Sequence, residues 1–302
     1  MIAYFILVHR YPKQFRQLFE AVYVPGNQYV IHVDKSSGPE LAKDIAVFLE
    51  PYQGVHILTP QNASWGGYSL VDAELRGMAK LLEMDSRWTH YINLSGQDFP
   101  LKTQSYIRRF LANNPGRQFI KVSDQARQRP DTMNRVDRYY IESDGEIINT
   151  DIPRAMFADV TAHIGTQWKV VTRSFCDFVC HDPSVDRFKD FYRNSFIADE
   201  SFFQTVIMNS GDQGEIIDND LRMIDWVADG DIKLRPRNFG SGDISRLKAS
   251  PDLFARKFDA REDPFILGLL QEYLKAEAIL AKPAPIGALA GRRILKLPMV
   301  AA

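Results

Sequence analysis

SLVDAELRGMAKLLEMDSRWTHYINLSGQD, residues 69–98, carries a helix, a strand and a functional loop in one continuous reading. Leu70, Ala73, Leu75, Met78, Leu81 and Leu82 recur at helical spacing, and Ser69 stands where it can cap the first turn. A helix is therefore predicted over Ser69–Met84. A short polar break then leads into the β-rich run Thr89–Leu94, which releases into Ser95-Gly96-Gln97-Asp98. The same unit repeats upstream. Strands are predicted at Ile2–His9, Tyr29–Asp34 and Val55–Thr59, with helices near Lys13–Val24 and Pro39–Leu49. Such alternation implies an α/β domain with a mostly parallel central sheet. The runs are nearly all apolar, as strands covered on both faces must be.

Beyond Lys121 the alternation blurs. Ser123–Asp151 is rich in Arg, Asp and Gln and reads as a surface loop; a strand is expected at Gln167–Thr172 and a helix from about Asp199. Pro264–Leu280 reads as a last helix, broken by Pro283-Ala284-Pro285-Ile286-Gly287. With no repeat, low-complexity tract or obvious linker, one domain is expected over 1–280, with a donor half to about 122 and an acceptor half from 123. Residues 281–302 form a tail in which Arg292, Arg293 and Lys296 stand among Ile294, Leu295 and Leu297. That mixture either packs on the domain or touches an anionic membrane surface.

The bulk numbers narrow the function. The 302 residues carry a formal net charge of −1, so no global basic field points to nucleic acid. The only cysteines, Cys176 and Cys180, have i,i+4 spacing and read as packed apolar residues; a metal site with His181 lacks a second ligand cluster. No disulfide framework is available, which fits a reducing compartment. The run Ile2–Val8 is far too short to span a bilayer. The expectation is a soluble, cytoplasmic protein.

Ligands of open α/β sheets gather beyond the carboxyl ends of the strands. Here those ends supply Val8-His9-Arg10, His32-Val33-Asp34-Lys35 and Asn93 through Asp98. Asp34 is placed either to accept from a base N–H or ribose hydroxyls, or to form a turn. In Ala63-Ser64-Trp65-Gly66-Gly67-Tyr68-Ser69, the glycines would let backbone approach a ligand and Trp65 would offer a flat face to a sugar or base. Ser95-Gly96-Gln97-Asp98 supplies a single carboxylate where many nucleotide-sugar enzymes place a metal-binding Asp-x-Asp pair. Literal pairs at Asp218-Asn219-Asp220 and Asp229-Gly230-Asp231 fall much later, amid apparent turns. Without a metal, a leaving diphosphate needs fixed cations. Lys233-Leu234-Arg235-Pro236-Arg237 and Phe254-Ala255-Arg256-Lys257-Phe258 supply candidates, and Asp243 reads as a helix cap. Glu200, in Asp199-Glu200-Ser201-Phe202-Phe203-Gln204-Thr205, is expected in a first helical turn capped by Asp199, where the dipole favours an ionised carboxylate suited to a general base.

In order along the chain, His32 to Ser36, Trp65 to Ser69, Asn93 to Thr103, Asp199 to Thr205 and Phe254 to Asp259 resemble the core-2/I-branching β-1,6-N-acetylglucosaminyltransferase family, which includes the peptide O-xylosyltransferases. The resemblance runs over about residues 2–275. It implies a GT-A-like fold working without a metal or other cofactor. It also implies a catalytic base at Glu200, a diphosphate lysine at Lys257, a uridine-contacting aspartate at Asp34, and donor-site residues Trp65 and Asp98. The family's second phosphate cation falls on Arg235 or Arg237; Val8, His9 and Gly66 complete the candidate donor site. The implied reaction is inverting transfer from a UDP-sugar to a glycan hydroxyl, with GlcNAc as the default donor and UDP-xylose as the alternative. Unlike animal members, the sequence shows no anchor with stem and no disulfide cysteines. A bacterial surface polysaccharide or lipid-linked oligosaccharide is therefore the expected acceptor, reached in the cytoplasm or at the inner membrane. Rival readings are a catalytically silent glycan- or nucleotide-binding module and a nucleotidyltransferase. The latter would want a glycine-rich phosphate loop and a metal site, and neither is seen.

Overall fold

Strand Ile2–Val8 is the centre from which the architecture grows. Ile2, Tyr4, Ile6 and Val8 point into one buried apolar cluster, while Ala3, Phe5 and Leu7 point into a second on the opposite face. A strand that buries both faces must be covered by helices on both sides, and it is. The structure, a computed structural model, describes residues 1–229, 233–280 and 292–294.

The sheet has eight strands, in the spatial order Arg292–Ile294, Glu215–Asp218, Arg117–Ile120, Lys169–Thr172, His90–Ser95, Ile2–Val8, Gln28–Val33, Val55–Ile57. Ile2–Val8 runs parallel to both neighbours, as Gln28–Val33 does to Val55–Ile57 and Arg117–Ile120 to Glu215–Asp218. Lys169–Thr172 is antiparallel to His90–Ser95 and Arg117–Ile120, and Arg292–Ile294 is antiparallel to Glu215–Asp218. The molecule is thus a mixed α/β domain with a large, mostly parallel central sheet flanked by helices, consistent with the GT-A-like expectation. A three-stranded sheet of Arg222–Ile224, Phe254–Arg256 and Asp98–Pro100 sits beyond the carboxyl end of His90–Ser95.

Local chemistry explains the helices. Pro12–Val22 and Pro39–Leu49 begin on proline, whose missing N–H costs nothing at a helix start. Helix Pro12–Val22 buries Phe15, Leu18, Phe19 and Val22 against one face of the sheet. Thr103 and Thr172 cap Gln104–Ala112 and Arg173–His181 by accepting from Tyr106 N and Phe175 N, both at 3.3 Å. Helix Ser69–Met84 has the predicted limits but a rotated buried face, comprising Val71, Ala73, Glu74, Gly77, Met78 and Leu81. Ser69 is its first helical residue, not its cap; the side chain instead meets Glu142. Cys176 is buried and Cys180 partly so.

Two further expectations need correction. Ser123–Asp151 is not a plain loop: it contains short helices and the hairpin Arg138–Ser143/Glu146–Pro153. Asp144 and Gly145, both left-handed (φ 51 and 85), close that hairpin, a turn that Asp-Gly is chemically suited to make. Its inward Tyr140 stacks on Phe196 with ring centroids 5.2 Å apart. Asp243 does not cap the helix Ile244–Ala249; it accepts from Gly240 N at 3.0 Å and pairs with Arg237. The break at residues 283–287 and most of the basic tail lie outside the described residues. Within that tail, Arg292–Ile294 adds an antiparallel edge strand to the sheet. No helix among the described residues is long and apolar enough to cross a membrane.

Candidate active site

Three parallel strands deliver their carboxyl ends to one edge. Asp34 N donates to Val8 O and Gly96 N to Leu7 O, both at 2.8 Å, so the three exits are stitched together. Val8 itself is buried. His9 is exposed, yet the protein mass around its ring, then Arg10 and Lys257, depress the imidazole to about 4. It is neutral at physiological pH. Asp34 accepts from Ser36 N (2.8 Å), Ser36 Oγ (2.6 Å) and Ala63 N (3.2 Å), which makes it a turn-forming residue joining two loops.

Lys257 follows the strand Phe254–Arg256 in a segment held at several points. Its carbonyl accepts from Phe239 N at 2.8 Å, and Phe258 N donates to Gln97 O at 3.0 Å. Gln14 Nε2 donates to Gly96 O (2.8 Å) and Phe258 O (3.1 Å), while its Oε1 accepts from Ala260 N (2.9 Å). Tyr11 Oη donates to Asp259 at 2.8 Å. Desolvation, then Arg10 and Arg256, lower the proton affinity of the half-buried Lys257 ammonium. Asp259 and Glu262 offset part of this crowding, and the net lowering marks the locus as one that favours an anion.

Arg256 lies 4.2 Å over the Trp168 ring, with Nε 3.7 Å from Asp98 Oδ1. That is too long for a hydrogen bond, and neither atom has another partner. Asp98 is wholly buried, and its Oδ2 accepts from Ser95 N at 2.8 Å. Desolvation raises its proton affinity, opposed by Arg256 and Arg222. Asp98 therefore underpins the cation locus from within the protein.

Glu200 lies within electrostatic reach of Arg256. It ends the 3₁₀ turn Ala198–Glu200, ahead of the helix Phe202–Asn209, so the expected first-turn placement is corrected. Ile197, left-handed at φ 50 and ψ 51, turns the chain into it. Ile197 N donates to Gly66 O (2.7 Å), Phe196 N to Arg135 O (2.9 Å) and Gly165 N to Glu200 O (2.8 Å). The Glu200 carboxylate is oriented by Arg135, Nη1 to Oε2 2.8 Å, and not by a helix dipole. Asp199 does not cap the helix but turns into the core. Burial, then Glu200, pushes its carboxyl up to about 7.

Trp65 is 68% exposed and meets Phe196 edge-on at 5.8 Å. Its two glycines are required by the protein's own packing. A Cβ on Gly66 (φ +82) would lie 2.7 Å from the Phe196 ring, and one on Gly67 would collide with the Glu142 carboxylate. Glu142 also accepts from Ser69 N at 3.0 Å. The tryptophan loop, the hairpin and the Glu200 turn are thereby one packed assembly.

A family model described as Core-2/I-Branching enzyme matches residues 2–248, spanning these elements except the strand Phe254–Arg256 and the Lys257 segment that follows it. The chain belongs to the Core-2/I-branching enzyme family. It is similar to xylosyltransferase 2 of Mus musculus, at 32% identity over 94% of this chain and 35% of that protein. It is likewise similar to xylosyltransferase 1 of Rattus norvegicus (32%, covering 90% and 35%) and xylosyltransferase 2 of Homo sapiens (32%, covering 90% and 33%). The chain spans about a third of the length of these curated relatives.

In this Core-2/I-branching member, Arg237 is committed to two carboxylates, while Arg235 is solvent-exposed with only a long contact to one. Arg237 bridges Asp225 (2.6 Å) and Asp243 (2.8 Å), and the exposed Arg235 stands 3.7 Å from Asp229. The cations gathered around Lys257 are instead Arg10 and Arg256. Asp218 accepts from Val122 N at 3.0 Å and buried Asp220 from Thr166 Oγ1 at 2.6 Å, so this Asp-x-Asp string is structural. The other, at 229–231, lies mostly outside the described residues. Among the described residues no group of three His, Cys, Asp or Glu side chains could hold a metal ion. Sequence reasoning missed Arg135 because it lies in a segment whose polar composition reads as loop. Only the tertiary fold brings it to Glu200, 65 positions away.

Proposed function

We propose that this domain transfers a sugar from a UDP-sugar to a glycan hydroxyl, with inversion and without a metal. The observation that supports this best is the crowding of Arg10 and Arg256 on Lys257, with Arg256 in electrostatic reach of a carboxylate that Arg135 holds in position. In the proposed reaction, Glu200 takes the acceptor hydroxyl proton while that oxygen bonds to the anomeric carbon. The bond from that carbon to the diphosphate oxygen breaks, its electron pair leaves on UDP, and Lys257 with Arg10 and Arg256 neutralises the departing charge. Attack from the opposite face turns an α-linked donor into a β-glycoside. Asp34 would meet the nucleoside and Trp65 the sugar side of the site. GlcNAc is the leading donor; the xylosyltransferase relatives motivate UDP-xylose as the second reading. The acceptor is proposed to be a surface glycan or lipid-linked oligosaccharide of a bacterial type.

The direct test measures UDP release from UDP-GlcNAc, UDP-xylose, UDP-glucose and UDP-galactose with candidate acceptors, with and without EDTA. Turnover from one of these donors, undiminished by EDTA, is expected. Turnover lost to EDTA and restored by Mg²⁺ or Mn²⁺ would refute metal independence. UDP binding with no transfer to any acceptor would favour a silent binding module.

The cation assignment makes its own prediction. Lys257→Ala should weaken UDP binding about 10–100-fold, the range for losing a hydrogen bond to a charged group. Arg235→Ala should leave UDP affinity unchanged. Arg237→Ala should lower thermal stability by loosening the Asp225–Asp243 bridge, again with near-normal UDP affinity. Calorimetric titration of UDP into the three variants decides between Lys257 with its neighbours and the two distal arginines.

A further inference from the structure

Asp199 is a buried ionisable group, adjacent in sequence to Glu200, that the reaction above does not use. The 3₁₀ turn sends the Glu200 side chain toward Arg135 and the Asp199 side chain the other way, leaving the residue 6% exposed. Its Oδ1 is sealed from solvent and has no hydrogen-bond partner. A buried carboxylate normally collects donors, so this oxygen needs an explanation.

The neighbouring cation cannot supply one. Lys169, fully buried on its strand, faces Asp199 electrostatically, but its ammonium has only three N–H bonds. They are occupied by Glu74 Oε1 (2.8 Å), Glu74 Oε2 (3.0 Å) and Gln167 O (2.7 Å). Glu74, from helix Ser69–Met84, already balances the lysine charge and repels a further anion. Glu200 repels it from within the same turn. A further charged neighbour is Arg256, from strand Phe254–Arg256, whose Nε is itself without a hydrogen bond. An ionised Asp199 would thus be a buried charge facing two anions, their effect opposed by its own backbone N–H, by a Lys169 already paired with Glu74, and by Arg256 from the Lys257 locus.

We propose that Asp199 is a positioning residue that carries a proton in the working state, leaving Glu200 as the sole charged acid of its turn, and that loss of this proton sets the alkaline limit of transfer. The proton removes the repulsion between adjacent carboxyls, as in sites where two acids cannot both ionise. When it is lost, the new charge draws on Arg256 and weakens the cation group that receives the leaving anion. The catalytic half of this inference rests on the proposed role of Glu200; the protonation of Asp199 does not.

The test compares wild type with Asp199→Asn, which reproduces the size and hydrogen-bonding character of the neutral acid. In UDP release followed against pH, wild-type kcat/KM should fall on an alkaline limb centred near the raised Asp199 value of about 7. Asp199→Asn should keep the rate below that limb to within about twofold and lose the limb itself. Stability gives a separate readout. Because the folded carboxyl holds its proton more tightly than the unfolded one, wild type should lose stability as pH rises from 3.8 toward about 7 and stay lowered above it. Asp199→Asn should lack this loss and melt higher than wild type at neutral pH. An unchanged alkaline limb in the variant, an unchanged pH–stability slope, or a variant that fails to fold each overturns the inference. If instead Glu200→Gln proves fully active while the stability difference is found, the assignment of Glu200 fails and the protonated Asp199 stands.

Discussion

Glu200→Gln is expected to bind UDP almost normally and to turn over about 10²–10⁴-fold more slowly, the range for removing a positioned general base. The amide keeps the shape of the side chain, and its oxygen can still accept from Arg135, which sits 2.8 Å from Glu200 Oε2 in the native site. It cannot take a proton from an acceptor hydroxyl at neutral pH. A carboxylate present only to balance Arg135 predicts a different outcome. Both side chains keep some solvent contact, 19% and 27%, so such a pair contributes below about 1 kcal/mol, and its loss would leave turnover intact. Turnover, UDP affinity and melting temperature measured on one preparation separate the two. A folded, UDP-binding variant with wild-type turnover removes Glu200 from the mechanism.

Lys169→Met should produce the largest loss of stability. Lys169 and Glu74 are 0% and 1% exposed, and Tyr91 Oη completes the group by donating to Glu74 Oε1 at 2.9 Å. Removing the lysine leaves the Glu74 carboxylate buried without its counter-charge, which costs about 3–5 kcal/mol. Replacing both partners, Lys169→Met with Glu74→Leu, removes the stranded charge and should recover more than half of that loss. The residual deficit reflects the orphaned Tyr91 hydroxyl, about 1 kcal/mol. Denaturant midpoints of wild type, the single variant and the double variant are the measurement. A double variant no more stable than the single one would mean that packing around Lys169, not the uncompensated charge, governs the loss.

The contrast between these sites shows what a linear sequence can disclose. The runs Ile2–Val8 and Gln28–Val33 were readable because burial on both faces forces near-uniform apolar composition. Helix Ser69–Met84 was readable in its limits but not in its rotation. Glu74 occupies a core position that hydrophobic periodicity assigns to the solvent side, and it can do so only because Lys169 arrives from a strand 95 positions away. The same reason hid Arg135 and the Asp199 environment, since each depends on a contact between remote segments. At Gly66 and Gly67 the residue type was informative but its cause was not. Both glycines fit a ligand approach equally well, and only Phe196 and Glu142 seen against them show what requires them. The hairpin Arg138–Ser143/Glu146–Pro153 was legible through Asp144-Gly145, but its polar composition outweighed that local cue.

That hairpin has a practical consequence. Tyr140 packs on Phe196, and Glu142, only two residues from the turn, holds the tryptophan loop, whereas Asp144 and Gly145 are exposed and a Cβ on Gly145 would meet nothing within 4 Å. A tag grafted between Asp144 and Gly145 would therefore sit two residues from the carboxylate that receives Ser69 N, so the graft keeps the tryptophan loop in place only if Glu142 keeps that contact.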